Sequence, residues 1–209
     1  MDYLINEGYP AAAQKFATEA NIQPAVDVDV IRQRVDIRNC IHTGDVEGAI
    51  ERINDLDPNI LDYDPPLHFT LLRLQFIELV RPILALDKPD TALFRPALVF
   101  ARTHLAPRAP TQKSFLDELQ STMSLLVFPS EKLAPQLKAL LDPDLRAQVA
   151  RSVNEAILYS RGDKKQARIR SLVKLRAWAE IQAREQKKNL PAHLGLGLDE
   201  MTDPDVMVA

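Results

Sequence analysis

The sequence predicts an all-α protein, and three observations support this prediction. Apolar residues recur at helical spacing along almost the whole chain, whereas strand-like alternation is nearly absent. The chain has only 6 glycines in 209 residues, which argues against folds that depend on glycine-rich phosphate loops or tight hairpins. Many of the 15 prolines stand where one helical pattern ends and another begins. We therefore expect a bundle of about ten helices joined by short links.

The N-terminal third of the chain divides into four helical segments. The first ends at Gly8, which suits a left-handed helix cap, and the second begins at Pro10. The third segment ends at Gly44. Asp45 then caps the fourth, whose apolar stripe ends at Pro58.

A long helix is predicted after Pro65, and it is apolar on more than one side. A helix of this kind is typical of the buried centre of a bundle. The stretch from Arg81 to Arg95 is interpreted as a loop or insertion with a short helical piece, because Pro82 and Pro89 lie within it and Pro96 directly follows it.

The second half of the chain is predicted to hold five further helices. They begin at Pro96, after a cap at Thr111, near Pro135, after Asp142 and after a cap at Asp163. A break is expected at residues 128–130. The helical pattern dissolves from about position 187, so we expect a flexible tail over 187–209.

Residues that could form a catalytic or metal site do not come together in the sequence. None of the four histidines is spaced with a Glu and a second His as helical zinc ligands are. We therefore expect no enzymatic activity, no metal and no cofactor. A single cysteine excludes an intrachain disulfide, and no run of about 18 apolar residues suggests a membrane span.

One charge feature stands out against a net charge of −3. The stretch 161–188 carries ten basic and three acidic residues, a net charge of +7. A solvated helix face is one interpretation, and a docking face for an acidic partner surface is the other. Nucleic acid is not expected, because the only aromatic residue among these basic ones is Trp178. The candidate docking residues are Lys164, Lys165, Arg168, Arg170 and Lys174.

Residues near the N-terminus add a resemblance to a known family. Tyr3-Leu4, Glu7-Gly8-Tyr9, Ala12-Ala13 and Phe16 resemble a LisH motif, here truncated at its N-terminal end. Residues between Ile37 and Leu79, among them Ile53-Asn54 and Phe76-Ile77-Glu78-Leu79, resemble a CTLH motif. Ala97 to Ala101 and the helices up to Trp178 resemble a CRA domain. The expected divisions are LisH 1–25, CTLH 26–84, CRA 85–186 and a tail 187–209.

The order of these motifs resembles the LisH–CTLH–CRA subunits of the GID/CTLH E3 ubiquitin ligase. The resemblance implies a non-catalytic scaffold in the cytoplasm and nucleus. It would link a RING-type catalytic pair to substrate-receptor and armadillo-type subunits, and so serve proteasomal degradation. The implied partners are sister LisH–CTLH–CRA chains, namely RanBPM-like and RING subunits, with no nucleic acid and no membrane. The chain is expected to form hetero-oligomers, with homo-oligomers as a further expectation. The alternative is a stand-alone LisH adaptor in cytoskeletal or Ran-pathway complexes.

Two sets of residues are expected to serve protein contacts. LisH pairing would bury an apolar stripe that so short a hairpin cannot cover alone, and its candidate residues are Leu4, Tyr9, Ala13 and Phe16. The second set has two open interpretations, internal packing of the CTLH motif or direct contact with a partner; it consists of Phe69, Leu72, Phe76 and Leu79.

Overall fold

A computed structural model describes residues 1–22, 28–86, 90–127, 134–162, 167–188 and 191, and over these residues the chain is helical without strands. The predicted all-α class is therefore confirmed. The helices are α1 (Asp2–Glu7), α2 (Pro10–Glu19), α3 (Val28–Thr43), α4 (Val46–Leu56), α5 (Asn59–Asp62), α6 (Pro65–Leu84), α7 (Arg95–Phe100), α8 (Lys113–Met123), α9 (Pro135–Leu140), α10 (Asp144–Ser160) and α11 (Arg168–Glu185). Short 3₁₀ turns and one π-helical turn, Ala101–Leu105, join some of them.

The ends of the early helices follow the sequence closely. Gly8 and Gly44 end α1 and α3 with φ of +75° and +88°, a conformation that side chains disfavour. Asp45 accepts a hydrogen bond from the Gly48 amide at 3.0 Å, and Asp64 accepts one from the Leu67 amide at 3.0 Å. These carboxylates cap α4 and α6, as is common at helix N-termini.

The chain divides into two units, Met1–Gln166 and Ala167–Ala209. In the first unit, one face of α6 joins a core formed with α3, α4, α5 and α10. Its large apolar members include Ile37, Ile41, Ile53, Leu71, Leu74, Val153 and Ile157. The second face of α6 joins a separate core with α7, the π turn and α8, whose members include Phe69, Phe76, Ile77, Val80, Leu105, Phe115 and Leu125. The central position predicted for α6 is confirmed.

The interpretation of residues 81–95 as a loop was wrong at its start, because α6 continues through Pro82 to Leu84. Proline lacks an amide hydrogen and cannot donate to the carbonyl of residue i−4, here Glu78. The helix therefore lacks this one hydrogen bond, and two further helical residues follow Pro82. The short helical piece that was expected is present as a 3₁₀ turn, Thr91–Phe94.

The predicted cap at Thr111 was also wrong. Its hydroxyl donates to the Arg108 carbonyl at 2.7 Å, while α8 begins after Gln112, which makes no side-chain cap. The proposed cap at Asp163, the break at 128–130 and nearly all of the predicted tail lie outside the described residues. Gly162 lies two residues beyond the end of α10 and has a φ of +75°, as expected for the residue that closes this helix.

Candidate protein-interaction surfaces

The LisH region is a hairpin of α1 and α2 whose aromatic side chains lie on its outside. Tyr9 is 50% exposed and Phe16 is 39% exposed, and Tyr3 is similarly open. Leu4 is half-buried. Ala13, by contrast, is 1% exposed because the chain itself covers it. Of the four residues predicted for pairing, Tyr9 and Phe16 therefore offer the most surface to another chain, and Ala13 serves internal packing.

Two arginines of α3 hold this hairpin in place. The Arg34 guanidinium donates to the Ile5 carbonyl, and Arg38 donates to the Glu7 carbonyl at 2.7 Å. These carbonyls belong to the last turn of α1, where backbone oxygens lack the i+4 amide partner of a helix interior. Arg34 is 4% exposed and also donates to the Asn154 side chain on α10 at 3.1 Å. These hydrogen bonds therefore fix the position of the hairpin relative to the first core.

The hairpin also approaches α3 closely at Gly8. A Cβ atom at Gly8 would lie 2.9 Å from a methyl carbon of Val35. Real Cβ contacts are essentially never so short, so a side chain at Gly8 would push α1 away from α3. The glycine therefore serves both the left-handed cap and the contact with α3.

The structure assigns most of the second predicted set to the interior. Phe69 and Phe76 are fully buried, and Leu72 is nearly so. The Phe69 ring stacks on the Phe115 ring with centroids 4.3 Å apart. Of the two open interpretations, these three residues follow internal packing.

Leu79 differs from the other three residues of this set, since it is 37% exposed. It lies in an open surface groove of about 730 Å³ between α6 and α7, together with Val99, Phe100 and Arg95. Leu79 alone of the four is therefore accessible to a partner.

An ionic cluster, which the sequence did not reveal, joins three parts of the first unit. Arg146 on α10 forms a two-pronged pair with Glu78 on α6, with one hydrogen bond of 2.8 Å from Nε, and it also donates to the His42 carbonyl at 3.0 Å. Arg81 donates to Glu78 at 3.2 Å and to the Leu141 carbonyl. Burial alone would raise the pKa of Glu78, but the two guanidinium groups outweigh burial and hold that pKa below its ordinary value.

The residues proposed for a basic docking face are only partly described. Lys164 and Lys165 lie outside the described residues. Arg168, Arg170 and Lys174 are exposed on α11, the described helix of the second unit. At about 100° per residue, Arg170 and Lys174 lie on the same side of the helix, whereas Arg168 lies on nearly the opposite side.

Helix α11 does not have separate polar and apolar sides. None of its residues, all of which are described, is buried. Its exposed large apolar residues are Ile169, Leu172, Val173, Leu175, Trp178 and Ile181.

Among the described residues, no group of His, Cys, Asp and Glu side chains could hold a metal ion. No described helix has the length and apolar character needed to cross a membrane.

Comparison with known families agrees with this architecture. A LisH family model matches residues 1–20, and a model for the "CTLH/CRA C-terminal to LisH motif domain" matches residues 30–184. The chain is therefore a LisH–CTLH protein, built from modules that mediate contacts between proteins.

Curated relatives match nearly the whole chain. The "Protein GID8 homolog" of Arabidopsis thaliana is 38% identical over 98% of this chain and 79% of the relative. The "Glucose-induced degradation protein 8 homolog" of Dictyostelium discoideum is 43% identical over 87% and 75%. The "GID complex subunit 8" of Schizosaccharomyces pombe is 40% identical over 88% and 76%. The chain belongs to the family of GID8 homologues, and the resemblance noted in its sequence is confirmed.

Proposed function

We propose that the chain is a non-catalytic scaffold subunit of a GID/CTLH-type E3 ubiquitin ligase. In this role it links the catalytic RING pair to substrate-receptor and armadillo-type subunits, for proteasomal degradation of substrates in the cytoplasm and nucleus. The main support is the match to GID8 homologues over as much as 98% of the chain. One of those relatives is itself named a GID complex subunit.

The exposed LisH face supports assembly with sister LisH–CTLH–CRA chains. The Tyr9 and Phe16 rings project from a hairpin whose backbone is already fixed by Arg34 and Arg38. A preordered apolar face loses little conformational entropy on binding, so most of the burial free energy contributes to affinity. Covering what remains exposed of the two rings would contribute about 2–3 kcal/mol.

Replacing both rings by serine, Y9S/F16S, tests this role. We expect the association with sister subunits to weaken roughly 30- to 150-fold, since each 1.4 kcal/mol is tenfold in affinity. The chain would be reconstituted with sister subunits and the RING pair of the same organism. Size-exclusion chromatography with light scattering would report assembly, and a ubiquitin-transfer assay would report ligase activity.

Leu116→Ser provides the matched control, because Leu116 is 42% exposed on α8, away from the hairpin. This variant should assemble and support ubiquitin transfer as the wild type does. The proposal is contradicted if Y9S/F16S assembles and transfers ubiquitin normally, or if the wild-type chain stays a lone monomer beside its sister subunits at micromolar concentration.

A further inference from the structure

A second candidate surface lies in the first unit and is built by residues other than those of the LisH hairpin. It is a cavity of about 600 Å³ where the end of α4, α5 and the start of α6 face the last two turns of α10. Its size is in the range of pockets that bind small molecules or side chains. Its apolar lining residues include Ile60, Leu67 and Ala156.

Two tyrosines stand among the lining residues. Tyr63, which follows α5, is 84% exposed, and Tyr159, near the end of α10, is 71% exposed. Tyrosine and arginine are, with tryptophan, the residue types most enriched among the strong contacts of protein interfaces. Tyrosine rings also provide flat faces on which a guanidinium group can stack.

The charge of the cavity selects the kind of occupant. Asp57, Asp64 and Glu155 line it, and the described lining includes no Lys, Arg or His. Asp57 and Asp64 each accept hydrogen bonds at Oδ1 from amide groups of their own turns. Within the described part of the chain, Glu155 has neither a hydrogen bond nor an ion pair, although it is half-buried.

Backbone electrostatics have the same sign. Ser160, the last residue of α10, is part of the lining. The C-terminal end of a helix carries a partial negative charge that favours cations. The carboxylates and the helix C-terminus therefore favour a cation, the apolar lining residues favour an apolar stem, and the tyrosine rings favour a flat charged group.

We propose that this cavity, the α5–α10 pocket, binds an arginine side chain presented by a peptide segment of a partner protein. The guanidinium group pairs with Glu155 and stacks on the ring of Tyr63, while its methylene stem covers Ile60 and Leu67. A neighbouring apolar residue of the peptide fills the rest of the volume. This inference goes beyond the scaffold role, and its test needs no other ligase subunit.

The test is a selection of phage-displayed random heptapeptides on the purified full chain, with counter-selection on the Glu155→Lys variant. We expect the surviving peptides to carry an arginine beside an apolar residue. The best one would then be synthesised, together with its Arg→Ala version, and its affinity measured by isothermal titration calorimetry. The Arg→Ala peptide and the Glu155→Lys protein should each bind at least about tenfold more weakly.

Two further variants keep the test decisive. Tyr63→Ser changes a side chain that is 84% exposed, so it should fold normally and still weaken the peptide about threefold or more. Glu51→Lys makes the same charge change as Glu155→Lys at an exposed position of α4 outside the pocket, and should leave the affinity within twofold of wild type.

Two results would overturn the inference. The first is a selection that yields no peptides dependent on Glu155. The second is a set of enriched peptides without arginine.

Discussion

Glu78 is the hydrogen-bond acceptor that joins α6 to α10, and the two arginines around it favour its ionised form. Its side chain is only 11% exposed and faces Arg81 and Arg146, each 23% exposed. Removing the charge of Glu78 leaves both arginines without this counter-charge, which costs more than the pair contributes when intact. The same group crowds Gly44, where a Cβ atom would lie 2.9 Å from an Arg146 nitrogen.

Replacing Glu78 by glutamine should lower the free energy of unfolding at pH 7 by about 2–3 kcal/mol, because charged hydrogen bonds to two arginines are lost. Urea denaturation followed by circular dichroism would measure this. Glu118→Gln is the control; Glu118 pairs with Arg73 but is 37% exposed, so the loss should be below about 1 kcal/mol.

The lowered pKa of Glu78 also predicts that the effect of this substitution on the free energy of unfolding depends on pH. The pKa of Glu78 is lower in the folded chain than in the unfolded chain. The ionised carboxylate therefore contributes fully to the free energy of unfolding above the ordinary glutamate pKa of about 4.3. The contribution is then lost as the pH falls through the lower, folded pKa. The difference between wild type and Glu78→Gln should therefore shrink as the pH is lowered from 7 towards 3. A difference that stays constant would contradict the assignment.

At the scale of single elements, the LisH hairpin depends on α3 for its order. Helix α1 has six residues, too few to be stable alone in water. Its last carbonyls accept hydrogen bonds from Arg34 and Arg38, which lie one turn apart on α3.

Replacing Arg34 by leucine should release the hairpin while the core remains folded. The Ile5 carbonyl and the Asn154 side chain would each lose a charged donor, at a cost of about 1.5–3 kcal/mol. We expect amide hydrogen exchange in α1 and α2 to accelerate about 10- to 100-fold. Exchange in α4 and α6 should not change.

Arg32→Leu is the matched control on the same helix, because Arg32 is 59% exposed and its ion pair with Asp29 is local. Its exchange pattern should equal that of the wild type. Faster exchange throughout the first unit of Arg34→Leu would instead show that Arg34 supports the whole core.

The sequence predicted most helix boundaries because local chemistry decides them. Gly8, Gly44 and Asp45 act within one turn of their own position, so their residue types suffice to place the ends of α1, α3 and α4. Pro82 misled the interpretation because a proline usually ends or kinks a helix, whereas α6 continues for two residues beyond it. Nothing in the sequence next to Pro82 shows how far the helix continues.

The interaction surfaces were harder to predict because they depend on tertiary contacts. Arg34 lies on the apolar side of α3 between Ile31 and Ile41, and this was the one available signal that it is buried. Ala13 and Phe16 belong to one apolar stripe in the sequence, yet one is covered by the chain and the other is exposed. The α5–α10 pocket joins residues about 90 positions apart, which no local pattern reveals.

At the scale of the whole molecule, both cores lie within Met1–Gln166. None of the α11 residues is buried, so the burial of apolar surface that stabilises the fold is concentrated in the first unit.

A chain shortened to residues 1–166 should therefore fold, with a free energy of unfolding within about 1 kcal/mol of the full chain. Urea denaturation would measure it. A chain shortened to residues 1–141 is the control, because it lacks α10 and with it Val149, Val153 and Ile157 of the first core. That shorter chain should be unfolded. An unfolded 1–166 chain would show that the second unit is needed for folding.

The two arginine bonds to the end of α1 also bear on the geometry of any larger assembly. A protein that binds the rings of Tyr9 and Phe16 is thereby oriented with respect to α3 and α10. The reason is that the hairpin is fixed to α3 and is not joined to it by a flexible link. The angle between neighbouring subunits would then be set inside each chain, before any second contact between them forms.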